Sequence, residues 1–299
     1  MRAHALIIAL TLAFLGLAPT ALAAGGLWTQ AGQLRNDQGY SDASAWRRAQ
    51  VRAVMADVTR GAATGTMPDS AQRRAEAAGL VLHETDTWVV LASEPEAADG
   101  FYVIRKGGDS VPLVIEAPHA WYDLDTGKLA CALFEAGYGR ALLINSAQRH
   151  APSQGDATAH SGQIGADVAH RAESVFQAAT LGVTDALHDP LVVQFHGFSS
   201  DHGSYGAVLS EGATFQSASL LLAAQQALEP VLGRFGSIAT GQDVPELSAR
   251  TNVQGQAITG QARFLHAELS LPARRTLITD IGLRGQLGAV LTSLAERTR

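Results

Sequence analysis

The chain has 299 residues, a formal net charge of −6 and one cysteine, and 46% of its residues are hydrophobic. This length allows one full-sized hydrophobic core. The acidic balance, without any basic cluster, argues against nucleic acid as a partner, and a single cysteine excludes an internal disulfide.

Residues 1–23 have the three parts of a secretory signal peptide. Arg2 supplies the charge, an apolar run extends from Ala5 to Ala18, and Ala21-Leu22-Ala23 is the small-x-small sequence that a signal peptidase cleaves. The apolar run is too short to span a bilayer as a mature helix. We therefore expect a periplasmic or secreted protein, cleaved near Ala23, that does not contact the membrane after signal removal.

Residues 24–79 are predicted to form an N-terminal helical segment. In "DASAWRRAQVRAVMADVTRGA", Trp46, Val51, Val54 and Val58 recur at helical spacing, which indicates a packing face. The following stretch, "ATGTMPDSAQRRAEAAG", is polar and rich in small residues. We assign no chemistry to this segment.

From residue 80 to residue 299, β-branched runs alternate with helical patterns. The predicted strands include "LVLHETDTWVVLAS", "VPLVIEAPH", "RALLINS", "PLVVQFHGF" and "ARFLHAELS", and "DVAHRAESVFQAATLGVTDAL" is predicted to be one helix. Near-continuous apolar strands between helices are typical of a mainly parallel sheet covered on both faces. The fold class is therefore α/β, with three αβα layers and a mainly parallel, mixed sheet.

Three of these strands end in polar residues. "VPLVIEAPH" ends at His119, "PLVVQFH" ends at His196, and "FLHAELS" carries Glu268. Ligands of open α/β sheets bind at the carboxyl ends of the strands. We therefore expect these three side chains to meet in one site.

Two imidazoles and one carboxylate are the ligand set of a catalytic Zn²⁺ site. The carboxylate is Asp123 or Asp125, since both follow His119 in "HAWYDLDTG". We assign Asp123 to the metal and Asp125 to the cap of the next helix, and the choice stays open. Glu268 is our candidate for the general base, because a carboxylate that does not bind the metal is needed to take a proton from water. Taken singly, each residue is better explained as an ordinary strand-end or turn residue; the coincidence of three strands that each end in a suitable group favours a site.

Several stretches resemble the N-formylglutamate amidohydrolase family, within the larger group of zinc-carboxypeptidase-like folds. They are, in chain order, "EAPHAWYD", "LLINSAQRHAP", "HGFSSDHGSYGAVLSEG" and "FLHAELSLPARR". The resemblance covers roughly residues 111–299. It implies the phosphorylase/hydrolase-like αβα fold of zinc carboxypeptidases, zinc ligands at His119 and His196 with an acid nearby, and Glu268 as the base.

The resemblance also implies that Arg149 takes part in catalysis and binds a substrate carboxylate, together with Arg274 or Arg275. A guanidinium fork suits that task. Two further residues, Asn252 in "RTNVQGQ" and His202 in "HGFSSDHG", are predicted from their polar loops to contact substrate.

The predicted function is an exported, zinc-dependent hydrolase of amide bonds in acylated amino acids or peptides that bear a carboxylate. The alternative is a non-catalytic protein of the same fold that binds a carboxylate ligand. Glu268 favours the enzyme, since a binding protein needs no free carboxylate beside the metal. The sequence has no G-x-S-x-G and no H-E-x-x-H motif, which argues against a serine hydrolase and against the common helical zinc proteases.

Overall fold

The computed structural model describes residues 26–93, 97, 99–108, 110–152, 165–199, 204–212 and 218–297. The predicted signal peptide and His202 lie outside these residues. Among the helices that are described, none combines the length and the apolar character needed to cross a membrane.

One mixed sheet of nine strands forms the centre of the described part of the molecule, with the strand order β1-β2-β3-β5-β4-β6-β9-β7-β8. The strands β5, β4, β6 and β9 run parallel to one another, and the pairs that flank this block are antiparallel. The strands are β1 Leu80–Glu84, β2 Trp88–Ser93, β3 Phe101–Arg105, β4 Leu113–Ala117, β5 Ala141–Ile144, β6 Leu191–Gly197, β7 Tyr205–Ser210, β8 Ser237–Thr240 and β9 Arg263–Leu269.

Helices cover both faces of this sheet. The helices are α1 Leu27–Gln33, α2 Ala45–Thr64, α3 Ser70–Ala77, α4 Thr126–Glu135, α5 Val175–Ala186, α6 Ala218–Leu232, α7 Val253–Ala257, α8 Leu271–Thr279 and α9 Ile281–Glu296. One apolar core lies between the sheet and α1, α4, α6, α8 and α9. A second core lies between the other face and α2, α3, α5 and α7. The predicted α/β class with three αβα layers and a mixed sheet is confirmed.

The period of two along a strand sends alternate residues of β4, β6 and β9 to opposite faces. On one face, apolar residues such as Ile115, Val193 and Leu265 belong to the core beneath α4 and α9. On the other face, Val114, Val192 and Phe264 lie near the starts of the strands and pack in the core beneath α5. Toward the carboxyl ends of the strands, the residues on this second face are polar and buried, and they are Glu116, Gln194, His196, His266 and Glu268.

Two local predictions were wrong. "LVLHETDTWVVLAS" forms two antiparallel strands, because Thr85 turns the chain by hydrogen bonding to the Trp88 main chain. The helix predicted from Asp167 begins only at Val175, where the Ser174 hydroxyl accepts from the Gln177 amide as an N-cap. The polar stretch before residue 80, within the segment predicted to be helical, contains the helix α3.

The N-terminal segment packs on both faces of the sheet. Leu27 and Ala31 of α1 belong to the core beneath α4. Of the predicted helical face of α2, Val51, Val54 and Val58 are fully buried against α5 in the other core. The prediction was wrong for Trp46, which is 61% exposed. The segment is therefore part of both outer layers, and its separation from residues 80–299 as a domain stays a prediction.

Candidate functional site

The carboxyl ends of β4, β6 and β9 place the three strand-end residues together. The strands are adjacent and parallel, and His196 lies directly opposite Glu268 in the β6–β9 register. His119 follows β4 by two residues. A tight turn then brings Asp123 back toward His119, since the Asp123 amide donates to the His119 carbonyl at 2.8 Å.

Asp123 lies between the two histidines. Its Oδ2 atom is 3.4 Å from Nδ1 of His119 and 3.2 Å from Nδ1 of His196. All three side chains are buried, and one donor atom from each lies within 4.8 Å of the others. Three potential metal-ligand atoms therefore converge on one point.

The other ring nitrogen of each histidine is held by an oxygen acceptor. Nε2 of His119 lies 2.8 Å from Oδ1 of Asp167, and Nε2 of His196 lies 2.8 Å from Oε1 of Gln194. Nδ1 of His119 is buried and has no hydrogen-bond partner among the described residues. Metal-binding histidines characteristically donate their second ring N–H in this way, which orients the ring and leaves the first nitrogen for the metal. The donor set and its supports fit Zn²⁺.

The charges at this point depend on one another. Burial lowers the pKa of His119, but the neighbouring carboxylates of Asp123 and Asp167 outweigh it and raise that pKa to about 9. Burial lowers the pKa of His196 to about 4. Burial raises the pKa of Asp123, yet the neighbouring imidazoles of His119 and His196 hold it well below its usual range. Asp123 is thus a carboxylate that attracts positive charge into the space between the two rings.

Glu268 lies beside this group on β9. Burial, and then the neighbouring charge of Asp123, raise the pKa of Glu268 to about 8. Its Oε2 atom is buried without a hydrogen-bond partner among the described residues. Nε2 of His266 is 3.8 Å from Oε1 of Glu268, and the His266 ring packs against that of His196 with 4.4 Å between ring centroids. Glu268 is available to exchange a proton and is held by few other groups.

Asp167 is the main site residue that the sequence analysis missed. Besides His119, it accepts from Nε and Nη2 of Arg149 at 3.0 and 2.8 Å, and Nδ1 of His170 lies 3.0 Å from its Oδ1. Its hydrogen bonds to His119 and His170 hold the pKa of Asp167 well below its usual range, although burial raises it. Asp167 is the first residue of the stretch predicted to be a helix, but it precedes a short 3₁₀ turn in a loop, and the helical pattern gives it no site role.

Two further missed residues carry a sequence signal. Glu116 and Gln194 are polar residues inside the apolar runs "VPLVIEAPH" and "PLVVQFH", and they lie opposite each other in the β4–β6 register. A buried charge inside a strand requires partners, which here are Thr180 and Gln194.

Two cavities flank the site and share Arg149, Leu247 and Glu268 in their walls. The larger, about 780 Å³, is lined mainly by apolar and aromatic side chains such as Tyr122 and Phe198. The smaller, about 340 Å³, is lined by the histidines of the site and by the polar turn that contains Asn252. A substrate that spans both would lie across the converging ligand atoms.

The remaining predicted residues have the following places. Arg149 and Arg274 line the larger cavity, and the Arg274 guanidinium donates to the main-chain carbonyls of Leu124, Phe198 and Ser270. Asn252 caps α7 and donates to Gln194. Asp125 precedes α4 in the predicted cap position, but its side chain makes no cap hydrogen bond. The roles of these residues stay predictions.

No known family profile and no curated protein sequence matches the chain. Solved structures do show similarity. An N-formylglutamate amidohydrolase from Ralstonia eutropha JMP134 is 16% identical, with 63% of this chain and 94% of that chain covered at a TM-score of 0.42. A protein assigned as carboxypeptidase A from Shewanella denitrificans OS-217 is 13% identical, with 67% and 61% covered at a TM-score of 0.42.

A third structure, succinylglutamate desuccinylase from Vibrio parahaemolyticus, is 11% identical, with 74% of this chain and 78% of that chain covered at a TM-score of 0.39. The family named from the sequence is thus among the solved structures to which this chain is similar, and these three structures are hydrolases by name.

Proposed function

We propose that the protein is a zinc-dependent hydrolase of amide bonds in acylated amino acids or peptides. The observation that carries this proposal is the convergence of Nδ1 of His119, Oδ2 of Asp123 and Nδ1 of His196. Glu268 lies beside them and is not one of these three ligands, although Glu268, His196 and His266 form a second group whose donor atoms lie within 4.8 Å of one another. Three protein ligands for a zinc ion and one separate carboxylate are the groups that zinc-dependent hydrolysis uses.

The chemistry that a zinc ion supplies in such a site is a lowered pKa for water and a polarised substrate carbonyl. The chain's own residues do the rest. Asp167 and Gln194 orient the rings of His119 and His196. Glu268 would take a proton on Oε2 from the attacking water and give it to the amine nitrogen as the amide C–N bond breaks. A nearby cation lowers the pKa of Glu268 from its value of about 8, because it stabilises the carboxylate.

The substrate is proposed to bear a carboxylate that binds Arg149. This guanidinium uses Nε and Nη2 on Asp167 and also lines both cavities, so that Nη1 is left for a substrate. Arg274 adds positive charge to the larger cavity. The apolar wall of that cavity suits an acyl group or an apolar side chain on the same substrate.

Export is proposed from the sequence alone. The order of charge, apolar run and small residues in residues 1–23 supports a cleaved signal peptide. Cell fractionation and determination of the N-terminus of the mature protein test it. A mature chain that still begins at residue 1 would contradict export.

The experiment for activity uses a panel of N-acyl amino acids and peptides. We expect hydrolysis that a chelator abolishes and added zinc restores. Glu268→Gln should lower the rate about 10²- to 10⁴-fold, the range that a general acid–base group contributes. Glu84→Gln should leave the rate unchanged, because Glu84 lies on the outermost strand β1 and its side chain pairs with Lys106. An unchanged rate in Glu268→Gln would remove the proposed base. Ligand binding without hydrolysis in the native protein would favour the carboxylate-binding alternative.

A further inference from the structure

A buried polar cluster lies directly beneath His196, between the sheet and α5. Its members are all at most 4% exposed. They come from two neighbouring strands, from α5 and from the start of α7, and they are Glu116, Gln177, Thr180, Gln194, Asn252 and Gln254. Burying several amides and a carboxyl together costs free energy of folding unless each group has hydrogen-bond partners. The contacts within this cluster therefore indicate what it does.

Gln194 is the member that contacts His196, and both ends of its amide are in use. Its Oε1 atom lies 2.8 Å from Nε2 of His196 and accepts from Nδ2 of Asn252 at 2.5 Å. Its Nε2 atom donates to Oε2 of Glu116 at 2.8 Å and to Oε1 of Gln254 at 3.3 Å.

The direction of the Gln194 amide is fixed from the main chain on two sides. Oδ1 of Asn252 accepts from the Gly255 main-chain N–H at 2.9 Å, so the Asn252 amide must present its N–H₂ to Gln194. Nε2 of Gln254 donates to the Val168 carbonyl at 3.0 Å, so Gln254 must present its oxygen to Gln194. A main-chain N–H cannot accept and a carbonyl cannot donate, and a reversed Gln194 amide would place like atoms together at both contacts.

The amide oxygen facing His196 can only accept. A neutral imidazole has one N–H, and the contact with Gln194 requires it on Nε2. The competing acceptor is Oδ2 of Asp123, which lies 3.2 Å from Nδ1, farther than the 2.8 Å between Nε2 and the Gln194 oxygen. We propose that Gln194 is a positioning residue that fixes His196 in the Nε2–H tautomer and so keeps Nδ1 available for the metal. This inference rests on the proposed function, because it concerns one of the proposed zinc ligands. Gln194 itself contacts neither metal nor substrate.

The test measures the tautomer in the metal-free protein by ¹⁵N NMR of the histidine rings, with His196→Asn to assign the signals. In the native protein the His196 proton is expected on Nε2. Gln194→Met removes the acceptor at similar volume and should abolish this preference. Gln177→Met makes the same change at a buried glutamine that touches only the far end of the cluster, through Gln254, and should preserve it. Gln194→Glu retains an acceptor oxygen and should also preserve it.

Zinc affinity, measured by chelator competition, gives the second readout. Gln194→Met should bind zinc about 10- to 100-fold more weakly, as for other residues that orient metal ligands, and Gln177→Met should bind it as the native protein does. An Nδ1–H tautomer in the native protein overturns the inference even if no variant folds. An unchanged tautomer in Gln194→Met, or the same loss in both methionine variants, also overturns it. A native protein that binds no zinc contradicts the proposed function but leaves the tautomer result intact.

Discussion

Replacing Glu116 with glutamine should remove a pH dependence that this buried carboxyl imposes on the free energy of unfolding. Glu116 is fully buried on β4. Burial raises its pKa from 4.5 to about 7, although hydrogen bonds from Thr180 at 2.6 Å and from Gln194 at 2.8 Å stabilise the carboxylate. In the unfolded chain the carboxyl has its ordinary pKa.

The direction of this pH dependence depends on whether the folded or the unfolded state holds the Glu116 proton. Between pH 4.5 and pH 7 the folded protein keeps the Glu116 proton and the unfolded chain has lost it, so stability falls as the pH rises. The difference between the two pKa values corresponds to about 3 kcal/mol, present in full below pH 4.5 and lost above pH 7. Glu116→Gln cannot titrate. Its free energy of unfolding minus that of the native protein should therefore increase by about 3 kcal/mol across this range.

Urea unfolding at intervals from pH 4.5 to pH 8, with a chelator present, measures this difference. The subtraction cancels the other titrating groups. Thr180→Val is the matched control, because it keeps the carboxyl and removes only a hydroxyl that stabilises the ionised form, so its stability should depend on pH at least as steeply as that of the native protein. A difference between Glu116→Gln and the native protein that stays constant with pH would refute the reasoning.

Two other substitutions test the surroundings of the site. Asp167→Asn should weaken zinc binding about 10- to 100-fold, because it removes the carboxylate that orients His119. Asp185→Asn, at a surface ion pair, should leave zinc affinity unchanged. Equal zinc affinity in the two variants would contradict this role of Asp167. Gly182→Ala should lower the free energy of unfolding by about 1–3 kcal/mol, since its new Cβ would lie 2.6 Å from Cβ of Met55 where α2 crosses α5. Gly285→Ala on α9, where a Cβ meets only the Tyr138 hydroxyl at 3.7 Å, should not be destabilised, and an equal loss in both would contradict the close contact.

The fold class and the meeting of the three strand ends could be predicted because they depend on local pattern and on one topological rule. Apolar runs separated by helices specify a covered sheet, and parallel strands bring their carboxyl ends to one edge. His119, His196 and Glu268 each end such a run, so their proximity follows from the order of the strands.

The supports of the site could not be predicted in the same way. Asp167 reaches His119 from 48 positions further along the chain, out of a loop that the sequence pattern predicts to be helical. Asn252 and Gln254 reach Gln194 over sequence separations of 58 and 60. Such contacts depend on how loops fold over the sheet edge, which short-range patterns do not encode. The polar interruptions at Glu116 and Gln194 were visible in the sequence, but their partners were not.

The zinc content of the purified protein tests the central claim most directly. The account predicts one zinc ion per native chain after dialysis against metal-free buffer. The substitutions His119→Ala and His196→Ala should reduce it to background, and His188→Ala, at an exposed histidine outside the site, should retain it. Background zinc in the native protein after incubation with zinc, or equal zinc in all four proteins, would contradict the assignment of this site.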